Sequence, residues 1–184
     1  MRNFLVISIL GFLSVSCGNE SKNPDNENVT AIEEVKINPN TFKVEVEGVW
    51  KEDDELIVFW KDASISYFDD DHTIYKGIKG SDVPQKVIFE FEEGYVPNDI
   101  RFDISSKKEQ KEITINYIKL EQQDRSFIVT KDKLFDFFRP NEFIDFDKSS
   151  NIIKTKEINE AYDPILFTSP SIYLEMERVL MAKF

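Results

Sequence analysis

The chain has 184 residues and a net charge of −12 at neutral pH, from 35 Asp and Glu against 23 Lys and Arg. A surface of that sign repels phosphate backbones and anionic lipid, which argues against nucleic acid as a partner and suits neutral or cationic ones. One His, one Cys and six Gly leave almost no material for a His-based triad, a multi-His metal centre or a glycine-rich phosphate loop, and no G-x-S-x-G or H-E-x-x-H motif occurs.

Residues 1–16 read MRNFLVISILGFLSVS: one positive charge at Arg2, an apolar run from Phe4 to Leu13, then small residues before Cys17. This is the layout of a secretory signal. The apolar run is about half the roughly twenty residues that a membrane-spanning helix needs, so the segment is expected to be removed rather than to span. Leu13-Ser14-Val15-Ser16-Cys17 resembles the lipobox of bacterial lipoproteins, with Leu13 one place further from the cysteine than in the strictest pattern, a relaxed form similar to lipoproteins of the Bacteroidetes type. The resemblance implies cleavage before Cys17 and lipidation of its thiol. The ordinary alternative is a free thiol at Cys17, which would be a liability in an oxidising compartment because the chain has no second cysteine to pair with it. Residues 18–34, GNESKNPDNENVTAIEE, are too polar to bury the surface that ordering requires, so 17–34 reads as a lipidated cysteine and flexible tether. Gly18 in place of Asp resembles the outer-membrane sorting pattern, which implies a cell-envelope location, anchored in the outer membrane by lipid.

Residues 35–184 have the size of a single domain, with no internal repeat and no second linker. In 41–48, Phe42, Val44 and Val46 alternate with Lys43, Glu45 and Glu47, the pattern of a half-exposed strand. A charged turn at 51–55 precedes LIVFW at 56–60, apolar on both faces and suited to a central strand. Shorter strand candidates at 64–68 and 73–78 flank a polar loop at 69–72, and another strand at 87–91 is stopped by Glu92-Glu93-Gly94 and Pro97-Asn98-Asp99. Residues 100–104 alternate, 105–111 turn, and 112–120 resume with a slip of phase between Ile115 and Ile118 that predicts a bulge or a twist. Further on come a strand at 127–129, a helical turn within 131–138, a breaker at 139–141 and strands at 143–146 and 152–158. Ser169-Pro170 is a helix-start signal, predicting a short helix over 172–180, although Ile172, Leu174 and Met176 also fit period two.

Many short strands with charged or Gly/Pro turns and no alternating helices predict a mostly β protein. An antiparallel β-sandwich is expected, jelly-roll-like in the first instance and immunoglobulin-like as the alternative, with a short C-terminal helix. The succession from Lys51-Glu52-Asp53-Asp54 and LIVFW through Gln85-Lys86-Val87-Ile88-Phe89 and Pro97-Asn98-Asp99-Ile100-Arg101-Phe102-Asp103 to 113–118 looks like β-sandwich modules of bacterial surface and envelope polysaccharide proteins. Those modules resemble carbohydrate-binding jelly rolls, and the likeness spans about 41–141. It implies a non-catalytic module that binds a glycan and carries over no binding residues.

The aromatic candidates for stacking on a sugar are Trp50, Trp60, Tyr67, Tyr75 and Tyr95. Trp60 continues an apolar strand and is expected in the core, whereas Trp50 beside a charged turn and Tyr95 between Gly94 and Pro97 are the better candidates for exposure. Arg101 and Asp103 share a strand face, as a polar clamp on a ligand or simply as a surface ion pair. Asp69, Asp70 and Asp71 beside His72 could give two or three oxygens to a structural calcium, but their spacing does not match an EF-hand, and a solvated turn is the simpler expectation. No cofactor is expected. Carboxylate pairs able to hydrolyse a glycoside arise by chance at this acidity, so an enzyme is the least favoured reading. The expected partners are the membrane, through the N-terminal lipid, and a glycan. The alternative is a structural or assembly subunit that docks another envelope protein by strand-edge pairing.

Overall fold

A computed structural model describes residues 40–95, 97–147 and 150–180; residues 1–16, Cys17 and the proposed tether lie outside them. Seven strands come first: β1 (Lys43–Trp50), β2 (Asp54–Lys61), β3 (Thr73–Ile78), β4 (Gln85–Glu90), β5 (Asp99–Asp103), β6 (Glu112–Gln122) and β7 (Arg125–Thr130). After them come α1 (Leu134–Phe137), β8 (Phe138–Pro140), β9 (Ile144–Asp147), β10 (Ile152–Thr155), β11 (Ile165–Thr168) and α2 (Pro170–Leu180). Among the described residues no helix is long and apolar enough to cross a membrane.

The strands form two antiparallel sheets, in the orders β4-β1-β6-β10-β9, with β7 also on β6, and β3-β2-β5-β11-β8. The chain is therefore an antiparallel β-sandwich with a short C-terminal helix. Alternation decides which side chains face inward: Val44, Val46 and Trp50 of β1, Ile113, Ile115, Ile118 and Leu120 of β6, and Leu56, Val58 and Trp60 of β2 all join one buried cluster. Glu45, Glu47, Tyr117 and Lys119 take the outer face of the first sheet. The slip of phase in β6 is a bulge at Asn116, since Glu47 pairs with Tyr117 while Gly48 pairs with Ile115. Gly48 is demanded there, because a Cβ would lie 2.5 Å from the Thr114 carbonyl oxygen and 2.7 Å from the Trp50 ring.

Helix α2 starts at Pro170, whose missing N–H costs nothing in the first turn. Ile172, Met176 and Val179, spaced four and three residues apart, are buried against β6 and β7. The expected strand at 64–68 does not form. The Asp62 carboxylate instead accepts from the Ser64 backbone N–H at 2.7 Å and from its hydroxyl at 2.6 Å, turning the chain away from the sheet.

Candidate functional site

Strand β2 carries the chain from one end of the sandwich to the other. At its start, Asp54 is buried and accepts from the Glu55 N–H at 2.8 Å, the Ser106 N–H at 2.9 Å and the Ser105 hydroxyl at 2.5 Å. Tyr162 donates to Ser105 at 2.9 Å or to the Gln110 carbonyl at 3.1 Å, and the Gln110 side chain accepts from the Lys51 N–H at 3.0 Å. Trp50 lies at this end. It is 0 % exposed, and its indole N–H donates to the Ile104 carbonyl at 3.0 Å. The expectation of an exposed Trp50 is thereby corrected: Gly48 leaves room for the ring to fold back into the core, where it has no ligand-facing surface.

At the other end of β2 sits Trp60, buried but at the margin of the core, 6 % exposed. Three aromatic rings meet it. The His72 imidazole is 4.8 Å away between centroids at 88°, Tyr95 is 4.8 Å away at 62°, and Phe91 is 5.9 Å away at 60°. Edge-to-face geometry places ring edges against ring faces, the favoured arrangement for aromatic quadrupoles. These rings come from two segments: the 3-10 turn Asp70–His72 before β3, and the loop between β4 and β5, which carries Phe91 and Tyr95. The turn is held by Asp69, whose carboxylate accepts from the Asp71 N–H at 3.1 Å and stands 2.6 Å from the His72 Nδ1. Tyr95 is held by its own N–H donating to the Glu92 carbonyl at 3.2 Å, with Gly94 at φ +95° making the turn.

Between these groups lies a pocket of about 210 Å³, lined by Trp60, His72, Phe91 and Tyr95 together with the carboxylates Asp71, Glu90 and Glu92. Glu90 accepts from the Thr41 hydroxyl at 2.6 Å, which fixes its position. The volume lies below the several hundred Å³ of a drug-sized site and suits one small ring or head group. Chemically the pocket offers aromatic surface and negative charge, the two features that attract C–H-rich sugar faces and cations. A larger groove of about 660 Å³ runs between α2 and Pro97–Asp99, lined by Tyr173, Met176 and Leu180. Of its two carboxylates, Asp99 and Glu177, Asp99 is already engaged by Lys61 at 3.0 Å and by the Thr168 hydroxyl.

The other sequence candidates are dispersed. Tyr67 is 68 % exposed in the loop after β2 and stacks on no ring among the described residues. Arg101 and Asp103 do not form an open clamp: they bind each other, Nε to Oδ1 and Nη2 to Oδ2 at 2.7 Å each, on the outer face of the second sheet. The Arg101 guanidinium also lies 4.4 Å over the Phe59 ring. Burial raises the Asp103 carboxyl above its ordinary value, against the opposing pull of Arg101. Asp69, Asp70 and Asp71 do not converge: Asp69 turns inward as the cap, while Asp70 and Asp71 are exposed. Among the described residues no group of three His, Cys, Asp or Glu side chains could hold a metal ion.

The sequence points to Tyr95 and places Trp60 in the core, where it lies at 6 % exposure, but it marks His72 only as a neighbour of aspartates. The signal for the pocket was the position of Trp60 as the last inward residue of its strand, with loops rich in aromatic and acidic residues to either side. No family model, curated protein or solved structure matches this chain.

Proposed function

We propose that this chain is a lipid-anchored envelope protein, tethered through Cys17 to the outer membrane, that acts as a non-catalytic binding module for a glycan. The observation that carries the reading is the pocket at Trp60, His72 and Tyr95, where aromatic rings from separate loops surround open space at one end of a sandwich. A sugar presents an apolar C–H face to such rings and hydroxyls to carboxylates such as Asp71 and Glu92, so the donor and acceptor chemistry of the pocket fits a pyranose. The acidic surface and the Asn-rich segment before the domain fit a module held in water above a membrane.

The binding half of the reading is tested on a glycan array probed with the wild-type protein and with Tyr95→Ala. Retention of a glycan by the wild type, lost in the variant, supports it; retention undiminished by Tyr95→Ala contradicts it. The anchor is tested separately. Cys17→Ser is expected to move the protein from the membrane fraction to the soluble one, and unchanged fractionation would contradict lipidation.

A further inference from the structure

The chemistry of the pocket is more selective than glycan binding requires. Three carboxylates line it, Asp71, Glu90 and Glu92, and its single basic side chain, His72, already faces the Asp69 carboxylate at 2.6 Å. The rings pack edge to face, 88° between Trp60 and His72 and 62° between Trp60 and Tyr95, which leaves the Tyr95 ring, 40 % exposed, as the open aromatic surface of the pocket. A neutral pyranose is best held by one broad, open aromatic face, and Trp60 offers little such face at 6 % exposure. One exposed ring in a compact pocket, with carboxylates beside it, instead suits a compact cation. The negative face of the ring and the carboxylates attract the same charge, and partial desolvation strengthens both attractions.

We propose that the sugar this pocket takes is a hexosamine whose amino group is free and protonated, with the ammonium seated between the exposed Tyr95 ring and the carboxylates of Asp71 and Glu92. The inference rests on the glycan-binding reading and narrows it. N-acetylation converts the ammonium to a neutral amide, so the acetylated sugar is rejected on charge. Uronic acids are rejected by like charge.

The test titrates the full chain calorimetrically with tetrasaccharides of glucosamine, N-acetylglucosamine and glucose. The glucosamine oligomer is expected to bind about tenfold or more tightly than the other two, a preference on the scale of one partly desolvated cation–π contact. Because an acidic protein attracts any polycation, two double variants accompany it. Asp71→Asn with Glu92→Gln should abolish the preference. Asp82→Asn with Glu109→Gln removes as much charge from the opposite end of the sandwich and should leave the preference intact. A preference that survives the first pair belongs to general surface charge and overturns the inference. Equal binding of the free and acetylated oligomers also overturns it but leaves the glycan reading standing, whereas a blank across these oligomers and the whole glycan array overturns both.

Discussion

The two tryptophans stand ten positions apart at opposite ends of the sandwich, and the two ends are built on opposite principles. Around Trp50, every neighbouring polar group is matched: the indole N–H with Ile104, Asp54 with Ser105 and Ser106, and Gln110 with Lys51 and Tyr162. Such a network fixes one packing arrangement around the buried indole, and two pockets at this end, of about 510 and 280 Å³, are lined mainly by charged and polar groups without an aromatic ring. Around Trp60 the contacts are ring to ring, across loops, and the carboxylates border open space. The same residue type thus closes one end and lines an opening at the other. What decides is the company it keeps: a glycine and a carbonyl for Trp50, a histidine and a tyrosine on turns for Trp60.

The comparison breaks most visibly at the closed end. Trp50→Ala removes the largest fully buried side chain and strands the Ile104 carbonyl, so a loss of about 3–5 kcal/mol is expected in urea unfolding. A smaller loss, about 1–3 kcal/mol, is expected for Asp54→Ala, which leaves the Ser106 N–H without its acceptor and the Ser105 hydroxyl with only the Lys107 carbonyl.

How much of this was legible in the sequence follows the range over which each signal acts. Alternation in 41–48 and 100–104 is local and gave β1 and β5, and the slip between Ile115 and Ile118 marked the bulge at Asn116 before its partner strand was known. Ser169-Pro170 likewise marked the start of α2. Strands β8 and β11 were not legible, because three or four residues such as Phe-Arg-Pro or Ile-Leu-Phe-Thr hold no period and exist through pairing with each other and with β5. The burial of Trp50 was hidden for the same reason. Whether a residue at a strand end is covered depends on loops remote in sequence, here Ile104 and Gln110 at one end and His72 and Tyr95 at the other.

An intermediate case lies on the outer face of the first sheet, where Tyr117 donates to Glu45 at 2.5 Å and Lys86 stands 3.4 Å from the same carboxylate. Burial alone would raise the Glu45 carboxyl, but the Tyr117 hydroxyl and Lys86 outweigh it and hold the group below its ordinary value of 4.5. A carboxyl depressed in the fold adds stability that is complete above the unfolded value and lost as pH falls through the folded one. Tyr117→Phe should therefore cost about 1 kcal/mol at neutral pH. It should also flatten the fall of melting temperature just below pH 4.5.

The smallest expected effect is a gain. Asn159 and Glu160, at φ +51° and +68°, form a two-residue turn in which Ile158 and Ala161 exchange both backbone hydrogen bonds, at 3.0 Å each. Two left-handed residues in succession suit Asn-Gly rather than Asn-Glu. Glu160→Gly should raise stability, by something under about 1 kcal/mol, read as a small increase in melting temperature.

The contrast between the two ends is tested most directly by pairing Tyr95→Ala with Trp50→Phe. Each is measured for melting temperature and for affinity toward the glycan that the wild type retains most strongly on an array, at a temperature where both variants are folded. The account predicts that affinity separates from stability. Tyr95→Ala, which loses the edge-to-face contact with Trp60, costs about 1 kcal/mol of stability and loses affinity by about tenfold or more. Trp50→Phe, which breaks the bond to Ile104, melts lower and keeps its affinity. Binding that survives in Tyr95→Ala but is lost in folded Trp50→Phe would contradict the account.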